Sequence, residues 1–307
     1  MGSAKFFLSE RNPGLNGPQL DSIIRRALIE DIGRGDITTQ LTVPENKFIK
    51  AVFLAKEDCV ACGLAVAKRV LRTVDARIKF TPLVKEGQAL RKGKIIARIQ
   101  GKAGSILSAE RVALNFLTLL SGIATKTREY VNKVRPHKVK ITDTRKTIPC
   151  LRELQKYAVR IGGGYNHRES LDEMVLIKDN HIEVLGVRFW VLGLDKIKKR
   201  ISPRVRIEVE VKNLNEFKKA LKMKPDIILL DNMSTKEMKK AVAIRNKLAP
   251  NTHHLTPNTY HLAPKLEASG GITLKNIKKA AGTGVEFISI GALTHSVKSA
   301  DISLEVL

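Results

Sequence analysis

The stretch RVRIEVEVKNLNEFKKALKMKPDIILLD, residues 204–231, decides the fold. It begins with the apolar run Arg204–Val211, continues through the helix-like segment Leu214–Met223, and ends in a second apolar run, Pro225–Leu230. Two strands joined by a crossover helix run parallel, because the helix returns the chain to the edge of the sheet from which it left. The stretch therefore predicts one β/α/β unit of a parallel sheet.

The same alternation of strand and helix continues on both sides of this unit. The predicted strands are Lys138–Thr142, Glu173–Ile177, Arg204–Val211, Pro225–Leu230, Lys265–Ala268 and Val285–Ile290. The predicted helices between them are Ile148–Arg160, Phe189–Ile201, Leu214–Met223, Lys236–Leu248 and Leu274–Ala281. This alternation predicts an α/β fold with parallel strands, which either a barrel or a doubly wound sheet would satisfy.

The N-terminal third has a different pattern of apolar residues and glycines. A helix is predicted from Pro18 to Asp31, where apolar residues recur at helical spacing. Between Lys50 and Gly104, short apolar runs are separated by glycine turns, and the long segment Ser108–Val134 predicts a buried helix. The sequence contains no uninterrupted run of about 18 apolar residues, so no membrane-spanning helix is expected.

The charge balance is strongly basic. The 307 residues include 55 Lys and Arg against 30 Asp and Glu, which gives a net charge of +25. Lysines on exposed helix faces explain much of the excess, but a site for anionic substrates or a nucleic-acid surface would also require it. Aromatic residues make up 5% of the chain, which argues against the stacking platforms of single-strand binders. The odd number of cysteines predicts no disulfide framework and favours a cytoplasmic location.

Charged and glycine-rich groups follow the predicted strands at their carboxyl ends. In parallel α/β folds these ends meet on one face, where ligands bind. Glu208 and Glu210 lie on the same side of their strand by its two-residue period. If that side faces a barrel interior, these buried carboxylates need cationic partners: Lys146, Lys178 or a divalent cation. The strand-end groups are Asp143, Arg145, Lys146, Lys178, Asp179, Glu208, Glu210, Asp231, Asn232, Glu267, Ser269, Gly270, Gly271, Gly291 and His295.

Two glycine turns and one glycine-rich segment predict anion binding. The turn Ser269-Gly270-Gly271 precedes a helix and Gly291 begins a second turn, so backbone N–H groups can point at a phosphate there. The segment Gly162-Gly163-Gly164 lets the backbone approach a ligand closely and leads to His167 and Arg168. An arginine fork suits carboxylates and phosphates, so the sequence predicts a cationic pocket for a polyanionic substrate.

Nine motifs, in order along the chain, resemble the quinolinate phosphoribosyltransferases. The motifs are ALIEDIGRGDITT (27–39), SAERVALNFLTLLSGIAT (108–125), TDTRKTIPCLR (142–152), RIGGGYNHR (160–168), IKDNH (177–181), IEVEV (207–211), LLDN (229–232), LEASGG (266–271) and ISIGALTHS (288–296). The resemblance implies an N-terminal α/β sandwich domain over residues 1–110, joined by residues 294–307. It also implies an incomplete (β/α) barrel over residues 111–293, described in the family as seven-stranded.

The resemblance implies an activity as well: phosphoribosyl transfer from phosphoribosyl pyrophosphate to quinolinate with decarboxylation, which yields nicotinate mononucleotide, pyrophosphate and CO₂ and requires Mg²⁺. It implies a homodimer in which Arg111 reaches the other subunit's site, with a higher oligomer left open. Quinolinate would be held by Arg111, Arg145, His167, Arg168 and Lys178. The ribose and magnesium-pyrophosphate would face Lys146, Glu210 and Asp231 as catalytic groups, of which Glu210 and Asp231 would bind the metal. The 5′-phosphate would lie on Ser269, Gly270, Gly271, Gly291 and His295.

Two alternatives to this activity stay open. One is a related phosphoribosyltransferase with another acceptor, such as nicotinate, and the other is a basic nucleic-acid-binding protein. Residues 249–264 contain a near-tandem repeat, PNTHHL followed by PNTYHL, which predicts a surface loop lengthened by duplication.

Overall fold

The computed structural model describes residues 17–186, 189–190, 194–248 and 263–307. The loop predicted at residues 249–264 therefore lies almost entirely outside the described residues. The described chain forms two compact units. We call residues 17–128, 146–164 and 292–307 the antiparallel-sheet unit, and the described parts of residues 129–145 and 165–291 the parallel-sheet unit.

The elements follow in chain order within each type. The strands are β1 Phe48–Ala55, β2 Cys59–Val60, β3 Lys79–Pro82, β4 Ala89–Leu90, β5 Ile95–Lys102, β6 Lys140–Thr142, β7 Met174–Ile177, β8 Arg206–Val211, β9 Ile227–Asp231, β10 Lys265–Ser269, β11 Phe287–Ser289 and β12 Ile302–Val306. The helices are α1 Pro18–Ile32, α2 Ile37–Thr42, α3 Leu64–Val74, α4 Ala103–Lys133, α5 Arg152–Ile161, α6 Asp179–Leu185, α7 Asp195–Lys198, α8 Leu214–Met223, α9 Thr235–Leu248, α10 Ile277–Ala281 and α11 Ala292–His295.

The antiparallel-sheet unit is built on a four-stranded sheet with the order β12-β1-β5-β3. Strand β1 is one of the two inner strands of this sheet, and it pairs antiparallel with β5 on one side and with the C-terminal strand β12 on the other. Helix α3 buries Val66, Val70 and Leu71 at helical spacing. The boundary predicted between residues 110 and 111 falls inside α4.

Helix α4 is long and apolar enough, by length and composition, to cross a membrane. However, 61% of its most apolar window is buried inside the protein, as in the core helix of a globular fold. The sequence criterion of an uninterrupted apolar run does not detect this helix, because polar residues such as Asn115 and Ser121 interrupt it. Ser121 is itself buried, and its hydroxyl donates to the carbonyl of Cys62 at 3.1 Å.

The parallel-sheet unit confirms the predicted α/β fold with parallel strands. Its sheet has the order β6-β11-β10-β9-β8-β7, and every neighbouring pair is parallel. Residues of β8 and β9 are buried almost without interruption, as expected for strands covered on both faces. Among the described residues, the seventh strand that the resemblance implies is reduced to a single parallel bridge between Thr142 and Tyr165.

The region between β7 and β8 differs from the sequence prediction. Within the helix predicted over Phe189–Ile201, the described part of the chain is helical at residues 189–190 and in the short α7. Helix α6, which was not predicted, forms directly after β7. Helix α6 starts there because the ring of His181 turns back and its Nδ1 accepts the N–H of Lys178 at 3.0 Å. This local contact fixes Lys178 at the end of its strand.

Candidate active site

The carboxyl ends of β7 to β10 bring four predicted site residues together. Ile177 pairs with Val209, so Lys178 and Glu210 follow side by side on neighbouring strands, and Asp231 pairs directly with Ser269. Burial raises the pKa of Glu210, the charge of Asp231 raises it further, and the charge of Lys178 opposes both. Two carboxylates and one ammonium group therefore interact at this edge of the sheet.

Arg145 and Arg168 form a second group on the same unit. The guanidinium of Arg168 donates from Nη1 to the carbonyl of Met174 at 2.8 Å, while its buried Nε has no hydrogen-bond partner among the described residues. Burial lowers the pKa of Arg168, and the positive charge of Arg145 lowers it further. Two cations whose charges act on each other, one with a buried donor that has no partner in the described chain, are of the kind that carboxylates and phosphates bind.

A buried cluster of His167, Glu208 and Glu267 lies within the parallel-sheet unit. His167 Nε2 lies 2.9 Å from Glu208 Oε2 and 3.8 Å from Glu267 Oε1, and both carboxyl groups are fully buried. Burial raises the pKa of Glu208 to about 8 and that of Glu267 to about 8. The prediction that Glu208 needs a partner is right, but the partner that hydrogen-bonds to Glu208 is the His167 ring and not a lysine side chain. The charge of Lys178 acts on Glu208 without a hydrogen bond between the two.

Asn232 lies beside the predicted site residues Asp231 and Ser269, and its sequence position at a strand end gave it no predicted role. Its backbone is left-handed, with φ of 53°, and its Nδ2 donates to Asp231 Oδ2 at 2.8 Å. Its N–H donates to the carbonyl of Ser269 at 2.8 Å, which joins the Asp231 end to the glycine turn. The signal for this residue is the dipeptide Asp-Asn after a buried strand, because Asn tolerates the left-handed region better than most residues.

Gly270 must be glycine because Asn232 lies against it. A Cβ at Gly270 would lie 2.2 Å from Asn232 Oδ1, and its φ is +87°, whereas a Cβ at Gly271, with φ of +58°, would meet only Asn232 Oδ1 at 4.0 Å. We expect Gly270→Ala to lower the free energy of unfolding by roughly 2–4 kcal/mol and Gly271→Ala by about 1 kcal/mol, measured by urea denaturation. Equal losses in the two variants would contradict the close approach of Asn232.

The glycine-rich segment has a packing role that the sequence did not predict. A Cβ at Gly162 would lie 2.5 Å from Thr127 Cβ and 2.6 Å from the carbonyl of Ala124, and one at Gly164 would lie 2.9 Å from Thr127 Cγ2. These glycines therefore let their segment pack against α4 within the antiparallel-sheet unit. That the segment also brings backbone close to a ligand stays a prediction.

Three predicted site residues lie in the antiparallel-sheet unit. Arg111 is exposed on α4, and Lys146 and His295 are also exposed. The hydroxyl of Thr294 donates to the carbonyl of Lys146 at 2.7 Å, so the backbones at Lys146 and at α11 are adjacent. The parallel-sheet unit holds the other predicted residues, which are Arg145, His167, Arg168, Lys178, Glu210, Asp231, Ser269, Gly270, Gly271 and Gly291. The structure thus divides the predicted set between the two units.

The parallel sheet with cations, carboxylates and a glycine turn at its strand ends defines the class of protein. Ligands of parallel α/β folds bind at the carboxyl ends of the strands, and phosphates commonly bind at glycine turns there. The arrangement is that of an α/β enzyme acting on anionic, phosphorylated substrates.

The chain belongs to the quinolinate phosphoribosyltransferase family. The family's N-terminal domain, "Quinolinate phosphoribosyl transferase, N-terminal domain", matches residues 36–121, and its C-terminal domain matches residues 123–305. The chain is 42% identical over 286 residues to the nicotinate-nucleotide pyrophosphorylase [carboxylating] of Mycobacterium leprae, covering 92% of this chain and 95% of that protein. It is 39% identical over 304 residues to the chloroplastic protein of the same name from Arabidopsis thaliana, covering 94% and 82%.

A solved structure gives the same result for the fold. The nicotinate-nucleotide pyrophosphorylase of Francisella tularensis superposes with a TM-score of 0.83 at 39% identity, covering 95% of this chain and 98% of that one. The family resemblance read from the nine motifs is therefore confirmed, and with it the class of the enzyme, a phosphoribosyltransferase.

Proposed function

We propose that this protein transfers phosphoribosyl from phosphoribosyl pyrophosphate to quinolinate and decarboxylates the product, yielding nicotinate mononucleotide, pyrophosphate and CO₂. Its family and the names of its relatives support this activity. The observation that carries the choice of acceptor is the pair Arg145 and Arg168, whose guanidinium groups lie close enough for one charge to lower the pKa of the other. Such a pair favours an acceptor with more than one carboxylate.

The acceptor is held by cations. Arg168 offers its unused Nε, Arg145 supplies a second guanidinium, and Lys178 supplies an ammonium group at the end of β7. An aromatic diacid clamped between these groups presents its ring nitrogen to the ribose in one orientation. Holding two reactants in line replaces a bimolecular encounter by a positioned reaction, which removes much of the entropic barrier.

The donor is held by carboxylates and the glycine turn. As pyrophosphate leaves C1 of the ribose, positive charge develops on the sugar, and the carboxylates of Glu210 and Asp231 can stabilise it. The backbone N–H groups of the turn at Ser269-Gly270-Gly271 would hold the 5′-phosphate, for which Gly291 and His295 stay predicted contacts. Lys146 stays a predicted contact of the ribose and pyrophosphate.

The carboxylates of Glu210 and Asp231 fit a divalent cation. They are oxygen ligands of the kind Mg²⁺ prefers, and the charge of Asp231 already raises the pKa of Glu210, so a cation would relieve their repulsion. Bound Mg²⁺ would neutralise the charge of the leaving pyrophosphate.

Loss of CO₂ follows from the bond formed at the ring nitrogen. The nitrogen's lone pair forms the bond to ribose C1 while the C1–O bond breaks and its electron pair leaves with pyrophosphate. The ring nitrogen is then positive, so the electron pair of the adjacent C–CO₂⁻ bond can stay on the ring carbon as CO₂ departs. That carbon takes a proton from solvent, and the protein supplies position and charge.

We also propose a homodimer and a cytoplasmic location for this protein. Arg111, exposed on α4 and outside the parallel-sheet unit, is the residue that would serve a second subunit's site in a homodimer. Location in the cytoplasm is likewise a proposal for this chain.

The test is product formation. The protein is incubated with phosphoribosyl pyrophosphate, Mg²⁺ and either quinolinate or nicotinate, and the mononucleotide is measured by mass spectrometry. We expect nicotinate mononucleotide and CO₂ from quinolinate, and no comparable turnover of nicotinate. Folded protein that produces no mononucleotide from quinolinate would overturn the proposed function, and preference for nicotinate would assign the alternative acceptor.

A further inference from the structure

A groove lies between helices α1 and α3 of the antiparallel-sheet unit. Its volume is about 580 Å³, which is within the range of small-molecule sites. Asp21 and Arg25 line the groove from α1, and they lie four residues apart on one face of that helix. Lys68 and Arg72, which are also four residues apart, line it from α3. Both helices belong to the same compact unit, so the groove forms within that unit.

An ion pair joins the two walls of the groove. Arg69 Nε donates to Asp21 Oδ1 at 2.8 Å, and Arg69 Nη2 donates to Asp21 Oδ2 at 2.7 Å, in the fork geometry of a bidentate pair. The hydrogen bond and charge of Arg69 lower the pKa of the Asp21 carboxyl group, and the charge of Arg25 lowers it further. Asp21 is therefore ionised at neutral pH, and it is the only carboxylate among the described residues that line the groove.

The other cations of the groove are not paired in this way. Arg25, Lys68 and Arg72 are exposed, and none of them makes a hydrogen bond or an ion pair with another residue that the structure describes. Together with Arg69, four cations line the groove against the single carboxylate of Asp21. The groove therefore has an excess of positive charge that the described protein does not neutralise.

The lining of the groove favours linked phosphate groups as the ligand. Guanidinium groups bind phosphate oxygens through paired N–H donors, and several cations on two rigid helices suit several phosphates. The remaining lining residues are Ala65, Thr73 and Ala76, and no aromatic side chain lines the described groove for stacking on a base. Recognition therefore depends on the charge of a phosphate chain and not on a ring.

We propose that the groove between α1 and α3 binds small molecules with two or more linked phosphates, either a free oligophosphate or the phosphate chain of a nucleotide. The inference does not rest on the proposed function, because no groove residue belongs to the predicted active site. Since the groove cations are exposed, each contact contributes little and binding requires several contacts together. Such binding weakens as salt screens the charges.

The test measures the Kd of inorganic tripolyphosphate by calorimetry on the full chain. EDTA is present, so that a magnesium-dependent active site does not contribute to the signal. We expect Arg72→Ala to raise Kd about threefold to fivefold, as for the loss of one exposed charge contact, and the double variant Lys68→Ala, Arg72→Ala to raise it about tenfold or more. An unchanged Kd in the double variant would overturn the inference.

Asp21→Asn is expected to change Kd in the opposite direction. The amide removes the negative charge from the groove, keeps one oxygen that can accept from Arg69 and frees part of that guanidinium for the ligand. We expect Kd to fall by about threefold. A loss of folding would raise Kd, so tighter binding cannot come from damage to the protein. Weaker binding in this variant would contradict the proposed role of the groove charge.

Two lysine variants separate the groove from the rest of the protein. Lys218→Ala removes an exposed lysine on α8 and is expected to leave the tripolyphosphate Kd unchanged. Lys146→Ala removes a predicted pyrophosphate contact of the active site and is also expected to leave it unchanged. Loss of binding in Lys146→Ala, with normal binding in the groove variants, would place the ligand in the active site and overturn the inference.

Three other probes define the ligand. Inorganic phosphate is expected to bind at least about tenfold more weakly than tripolyphosphate, because linked phosphates contact several cations at once. ATP that binds as tightly as tripolyphosphate would identify a nucleotide's phosphate chain as sufficient, and weaker ATP binding would assign the groove to free oligophosphates. Equal Kd values for phosphate and tripolyphosphate, or much tighter groove binding of single-stranded RNA, would overturn the proposal of a small oligophosphate ligand.

Discussion

Glu210→Gln is expected to lower kcat by roughly a hundredfold to a thousandfold, the range found when one group that stabilises transition-state charge is removed. Glu210 is buried beside Lys178 and Asp231 at the ends of β8 and β9, and its charge depends on those neighbours. The amide keeps the shape of the side chain and removes its charge. Steady-state kinetics with both substrates saturating, repeated over a range of Mg²⁺ concentrations, measures the effect.

The Mg²⁺ dependence separates a metal ligand from a purely structural carboxylate. We expect Glu210→Gln and Asp231→Asn each to raise the Mg²⁺ concentration needed for half-maximal rate. Glu183→Gln, which changes an exposed carboxylate on α6, should leave rate and Mg²⁺ dependence unchanged. The same half-saturation in wild type and both site variants would remove Glu210 and Asp231 from the metal site.

Lys178→Ala is expected to lower kcat/KM for quinolinate by more than tenfold. Its ammonium group follows β7 beside Glu210, and its charge acts on the carboxyl groups of Glu208 and Glu210. A charge-assisted contact contributes about 1.5–3 kcal/mol, which corresponds to a loss of about 10- to 150-fold. Arg145→Ala should lose as much, because it removes the guanidinium group whose charge acts on Arg168.

A substitution that keeps the charge separates the effect of the Lys178 charge from that of its side-chain shape. Lys178→Arg keeps the charge with a different shape and should recover part of the lost kcat/KM. Lys218→Ala removes an exposed lysine on α8 and should have no effect. Near-normal kinetics for both Lys178→Ala and Arg145→Ala would show that these cations do not bind the acceptor.

Sequence reasoning predicted the parallel sheet well, because each β/α/β unit is a local pattern. The runs Arg204–Val211 and Pro225–Leu230 became β8 and β9, and the helix predicted at Leu214–Met223 has those same bounds in the structure. The region after β7 was predicted poorly, since α6 depends on the turn of His181 back to Lys178. The strand reduced to a bridge at Tyr165 has too few residues for any periodicity.

The site was predicted in part for the same reason. Strand direction alone brings Lys178, Glu210, Asp231 and Ser269 to one edge of the sheet, so their neighbourhood follows from the sequence. The partner of Glu208 does not, because His167 is 41 residues away along the chain and no local pattern connects the two. The closeness of Asn232 to Gly270 likewise depends on two separate strands.

By itself, the sequence determined the class of fold, its family and the order of the charged groups at the strand ends, since these depend on periodicity, strand direction and recognisable motifs. Only the tertiary structure decided which side chain is the hydrogen-bond partner of each buried carboxyl group. A buried carboxyl group needs a hydrogen-bond partner within about 3 Å, and which group lies at that distance depends on how segments remote in the sequence pack together. His167 is the example: its ring lies 2.9 Å from the buried Glu208 carboxyl group, although the two residues are 41 positions apart along the chain.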